Sequence, residues 1–202
     1  DVESEIAGLN YDQLLNYLIT NGPEGIRKVM ERVSASVKRM KGMGYTFSFD
    51  LSQSPQQSKQ LGLSGNAAGH VWPRGNHMEL VLAGRNSGRP FGATLEVIGH
   101  ELLHSVTIPL IRYGEMNPNT KEGKVVQELK DLSAHVKKEL LKRVRNGTAT
   151  PMEIAYSRGS NLFGSKKKYL GTIHIADEIM SWGNTNSDVR NILESMPYKG
   201  KS

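Results

Sequence analysis

The chain has 202 residues, 37% of them hydrophobic and 23% charged, with a net charge of +6 and no cysteine. That length suits one compact domain, or a domain with a helical appendage, of ordinary globular composition on the polar side. The absence of cysteine excludes disulfides and thiolate-bound zinc, and no apolar run approaches the ~20 residues of a membrane-spanning helix.

The chain starts at Asp1, and residues 1–20 lack the basic-then-apolar layout of a secretion signal. It therefore reads as a soluble domain excised or processed from a longer polypeptide. Tyr11 to Thr20 carries Leu14, Leu15, Leu18 and Ile19 at helical spacing and ends at Asn21-Gly22. Pro23 opens a second helix, where a missing N–H costs nothing; Ile26, Val29, Met30, Val33 and Val37 form its stripe, and Gly42 and Gly44 stop it. Residues 45–51 alternate as a half-buried strand does. Residues 52–66, rich in Ser, Gln and Gly, predict a mobile loop, the best place in the chain for a lid. Ala67–Trp72 and His77–Ala83 read as two strands joined by a turn at Pro73-Arg74-Gly75-Asn76.

A loop over residues 84–90 leads into a helix predicted from Phe91 to Thr107, with Pro109 marking its exit. Lys121–Arg145 reads as a long helix with Val125, Leu129, Leu132, Val136 and Leu140 on one side, closed by Asn146-Gly147. Ile175–Trp182 and Asp188–Met196 follow as two short helices. Helices, a small sheet, then helices give an α+β fold. The layout divides into an N-terminal helical segment (1–44), a sheet with the central helix (45–107) and a helical C-terminal part (108–202).

The chemistry sits in His100-Glu101-Leu102-Leu103-His104, an HExxH pattern inside an apolar helix. Four residues apart on a helix, His100 and His104 project from one face, which suits two adjacent positions of a tetrahedral zinc. Glu101, next in sequence, is placed to take a proton from the attacking water. Leu102 and Leu103 bury the back of the helix. A catalytic zinc needs a third protein ligand. A histidine six residues after His104 is excluded, because Leu110 stands there. That leaves His135, His174, Asp177 and Glu178.

Through these residues the chain resembles the gluzincin class of zinc metallopeptidases. It is most similar to the metallopeptidase modules of large phage and mobile-element proteins, which are distantly like anthrax lethal factor. The similarity covers roughly residues 66–196: Gly69-His70-Val71 and Glu79–Leu82 as the hairpin, His100 to Thr107 as the motif helix, and Asp177-Glu178-Ile179-Met180-Ser181 with Asn186 and Val189 as the last helix. The resemblance implies a zincin-like fold with a small, mainly antiparallel sheet on the active-site helix. It implies zinc held by His100, His104 and Glu178, Glu101 as general base, and a protein or peptide substrate. It also implies that His77–Ala83 is the sheet edge that pairs with that substrate, and that the parent protein is virion-associated or secreted and delivered. Two positions depart from the family pattern. Trp182 replaces its second Glu, and Gly171 falls where a Tyr often binds the oxyanion, leaving Tyr169 or His174 to donate there.

Two other classes fit parts of the sequence. One is a zinc-binding interaction module of a virion or toxin protein that has lost turnover, consistent with Trp182. The other is a basic nucleic-acid-associated domain, drawing on Lys137-Lys138, Lys142-Arg143, Arg145, Lys166-Lys167-Lys168, Lys199 and Lys201. Those lysines read better as solvated faces, because Tyr169 and Tyr198 are the only aromatic residues interleaved with them.

Overall fold

The computed structural model describes residues 1–63, 65–90, 92–159 and 171–199, without the side chains of 156, 158, 159 and 171–176. It is α+β: helices surround a small three-stranded sheet. The chain divides into two compact units, Asp1–Ile108 and Pro109–Ser202.

In the first unit, α1 (Val2–Ile6), α2 (Tyr11–Asn21) and α3 (Glu24–Gly42) precede β1 (Thr46–Ser52). A capping box starts α2: Asn10 accepts from the Gln13 N–H, and the Gln13 side chain accepts from the Asn10 N–H. Leu14, Leu18, Met30 and Val33 from α2 and α3 are almost wholly buried, and they join Leu80 and Leu82 of the sheet in one core. Met43-Gly44 closes α3, with Gly44 at φ 91°, a conformation glycine adopts without steric cost.

The sheet is completed by β2 (Gly69–Arg74) and β3 (His77–Ala83) in the order β1-β3-β2. β2 and β3 form a hairpin across Gly75-Asn76, pairing Gly69 with Leu82 and Arg74 with His77. β1 runs parallel to β3, from Thr46 opposite His77 to Ser52 opposite Ala83. The sheet is thus mixed and not mainly antiparallel. β3 is its central strand and not an edge, which corrects the expectation that substrate would pair with it. The unbroken apolar run Leu80-Val81-Leu82-Ala83, all buried, is what a strand covered on both faces requires.

Residues 52–66 also differ from expectation. They are not an unstructured lid, because α4 (Pro55–Gln60) forms there, with Ser54 capping the Gln57 N–H and Pro55 in the first turn. Ser52 and Ser58 are buried and bonded to each other at 2.7 Å, and Ser58 Oγ donates to the Ser87 carbonyl at 3.0 Å. Those bonds tie α4 to the sheet and to the short 3-10 turn at Arg85–Ser87.

Next comes α5 (Leu95–Met116), which does not exit at Pro109 but continues two turns beyond it. Proline there lacks the N–H that would bond the Ser105 carbonyl, a loss that ordinarily kinks or ends a helix. At the start of α5 the Thr94 hydroxyl accepts from the Val97 N–H at 3.2 Å, and Ile111, beyond the proline, is buried. The boundary between the two units falls at this proline.

The second unit contains α6 (Lys121–Arg145), α7 (Pro151–Gly159), α8 (Gly171–Thr185) and α9 (Ser187–Glu194). Val136 and Leu140 of α6, Ile179 of α8, and Val189 and Ile192 of α9 form its core with Met196. Arg143 ties the unit's ends together, pairing with Glu153 and donating to the Ser195 carbonyl at 2.8 Å. No helix among the described residues is long and apolar enough to cross a membrane.

Candidate metal centre

The site is built on α5. Ile98, Leu102 and Val106, at i, i+4 and i+8, are buried in the first unit's core and fix the rotation of the helix. A buried polar contact holds it too: Tyr11 of α2 donates to Ser105 Oγ, and Ser105 donates on to the Leu102 carbonyl at 2.6 Å. Burial raises the Tyr11 pKa, outweighing the lowering by its bond to Ser105, so the phenol stays neutral and acts as a donor.

With α5 fixed in this way, His100 and His104 are both 5% exposed, and their Nε2 atoms lie 2.9 Å apart. The rings stand nearly perpendicular, 85° between planes with centroids 4.3 Å apart. At 2.9 Å the two Nε2 atoms share a hydrogen bond, so both rings present the same ring nitrogen to the same side of α5. Two nitrogens on a tetrahedral zinc lie about 3.3 Å apart, from bond lengths of about 2.0–2.1 Å. The observed separation is short of that by a rotation of a few degrees at either side chain.

Among the described residues, the ligand atoms of His100, His104 and Glu178 all lie within 4.8 Å of one another. Glu178, on α8, is partly exposed. Two imidazole nitrogens and one carboxylate are a donor set that could hold a divalent zinc ion and leave a coordination position for a reactant. Glu101 is not a member of the group. It is 7% exposed, and its side chain lies against the backbone of β2: a β-carbon at position 69 would fall 2.8 Å from Glu101 Cγ.

The other candidates from the sequence lie elsewhere. His135, on α6, places Nε2 2.9 Å from the Pro197 carbonyl and its ring 5.3 Å from that of Tyr198. It serves the packing of the second unit and is not in the metal group. Asp177 is buried at 4% exposure and is likewise outside the group. His174 lies on α8 with its side chain outside the described residues, and Tyr169 lies outside them altogether.

Two supporting residues carry no signal in the sequence. Glu3, buried on α1, accepts from the Arg85 N–H with both carboxylate oxygens at 2.9 Å and from the Ala93 N–H at 3.2 Å. It thereby gathers both ends of the loop that delivers the chain into α5. Gly69 has no positive φ to demand glycine, so only its contacts reveal why it is one. No family model matches the chain, and no curated protein or solved structure matches it.

Proposed function

We propose that this chain is a zinc-dependent metallopeptidase of the gluzincin type, hydrolysing peptide bonds with Glu101 as general base. One observation carries the reading: two buried histidines on an HExxH helix bring their Nε2 atoms to 2.9 Å from each other. His100, His104 and Glu178 would hold the zinc. Bound there, the ion supplies Lewis-acid polarisation of the scissile carbonyl. Glu101 takes the proton of the attacking water and passes it to the leaving amine.

The substrate strand is assigned to β2. The Ala83 N–H donates to the Ala68 carbonyl at 2.8 Å, so residues 68, 70, 72 and 74 turn their backbone groups toward β3. Gly69, Val71 and Pro73 then face the open side, where no strand pairs among the described residues. An extended peptide laid there gains N–H and C=O partners from Gly69 and Val71 and passes directly beside Glu101. Pro73, without an N–H, ends the ladder.

The test is metal analysis of the purified protein together with cleavage of unfolded casein by wild type and Glu101→Gln. About one zinc per chain in both proteins is expected, with cleavage by wild type only, reduced about 10²–10⁴-fold in the variant. Equal cleavage by the two would overturn the mechanism, and no zinc in wild type would overturn the site.

A further inference from the structure

Glycine leaves a gap wherever a strand face is packed and has more freedom to lose on folding. Gly69 opens β2, opposite Leu82, with no left-handed backbone that would require it. Its surroundings give the reason. A β-carbon there would lie 2.8 Å from Glu101 Cγ, 2.9 Å from Leu82 Cδ2 and 3.0 Å from the Val81 carbonyl oxygen. Carbon–carbon contacts are favourable at about 3.5–4.0 Å, so each of the first two is a collision. The space a side chain would take at position 69 is occupied by the methylene stem of Glu101.

We infer that Gly69 is a positioning residue for Glu101: its bare backbone forms the wall against which the general base is held. Glu101 has three rotatable side-chain bonds, and in the open it would sample many rotamers. Pressed on one side by β2 and carried on the other by α5, its stem has its Cγ position fixed. The same residue turns its backbone N–H and C=O to the open edge, so the substrate backbone and the general base are referenced to one α-carbon. This inference rests on the peptidase reading for its catalytic meaning, but the contact itself can be tested without turnover.

The experiment is a double-mutant cycle on zinc-loaded full-length protein, read by thermal denaturation, with kinetics alongside. Gly69→Ala is measured alone and in Glu101→Gln, Glu101→Ala and Leu82→Ala backgrounds. Glu101→Gln keeps the γ-carbon, so the loss in melting temperature caused by Gly69→Ala should persist there. Glu101→Ala removes that carbon, so the loss should shrink markedly; an undiminished loss overturns the inference. If Gly69→Ala alone does not fold, recovery of folding in the Glu101→Ala background supports it, and failure in that background overturns it.

In kinetics, Gly69→Ala should retain its zinc and its KM while kcat falls about 10²-fold, the lower range of a lost general base. Recovery of kcat on adding Leu82→Ala would place the obstruction at Leu82 and overturn the assignment to Glu101. If wild type cleaves nothing, the peptidase reading falls, while the thermal cycle still decides whether Gly69 holds Glu101.

Discussion

Replacing Glu3 with Ala should be among the most damaging single changes in the first unit, although the residue lies three positions from the start of the chain. Its carboxylate accepts from the Arg85 N–H at 2.9 Å through both oxygens and from the Ala93 N–H at 3.2 Å, at 8% exposure. Truncation leaves two loop donors without this acceptor. Each buried donor left unsatisfied costs about 1–3 kcal/mol, giving a loss of about 2–5 kcal/mol for the pair once some water enters. For a chain of this size that is about 4–20 °C in melting temperature, at about 2–4 °C per kcal/mol. Glu3→Gln, which keeps one oxygen but loses the charge, should fall between wild type and Glu3→Ala. The control is Glu5→Ala on the same helix, whose carboxylate is more than half exposed, in a surface pair with the terminal amine; it should change little. Urea denaturation with intrinsic fluorescence measures all three. If Glu3→Ala lies within a few tenths of a kcal/mol of wild type, the clasp on the loop before α5 is not a stabilising element.

His100→Ala or His104→Ala should abolish stoichiometric zinc, and Glu178→Ala should weaken binding while leaving the fold intact; full retention of zinc in a His100→Ala, His104→Ala double variant would refute the site. His70, half-buried on β2, supplies a pH effect. Desolvation pushes its pKa down from 6.5 to about 4, against smaller raising effects of Glu79 and a backbone bond to Leu61. A depressed histidine binds its proton more readily unfolded than folded, so stability is complete above about pH 6.5 and is lost as the pH falls toward 4. With discount for solvent at this partly exposed ring, the loss is about 1–2 kcal/mol. His70→Gln should flatten the decline in urea stability between pH 7 and pH 5, and an unchanged slope would refute that assignment.

What the sequence disclosed and what it concealed divide along physical lines. The bounds of α6, Lys121–Arg145, were legible because its Thr120 cap and the left-handed Gly147 at φ 70° are local signals, although its expected stripe erred at one end: Val125 is exposed and Val126 is the buried valine. α4 had a local signal too, Ser54-Pro55, outweighed by the polar composition around it. The central place of β3 was present in Leu80-Val81-Leu82-Ala83, since a run without alternation marks a strand covered on both faces. Its parallel pairing with β1 was not, because nothing near Thr46 specifies a partner thirty residues away. Pro109 misled for a different reason: the rule that proline ends a helix is local, whereas here the helix runs on past it to a buried Ile111. At the site, HExxH disclosed the histidines because their relation is helical and local. The contacts of Glu3 with Ala93 and of Gly69 with Glu101 span most of a unit, and only the fold brings them together.

Among the described residues no strand pairs with the outer side of β2, which has a consequence for the protein's behaviour in concentrated solution. A bare sheet edge is a template for any extended chain, including another copy of itself, and long flat edges seed aggregation. This one offers backbone donors at Gly69 and Val71 only; Pro73 has none, and the chain turns away at Gly75-Asn76. A second copy aligning there would gain too few bonds to hold, whereas on the peptidase reading a substrate would be held by the metal site as well and would not depend on them. On that reading the brevity of the strand would let one surface take a transient guest while resisting polymerisation.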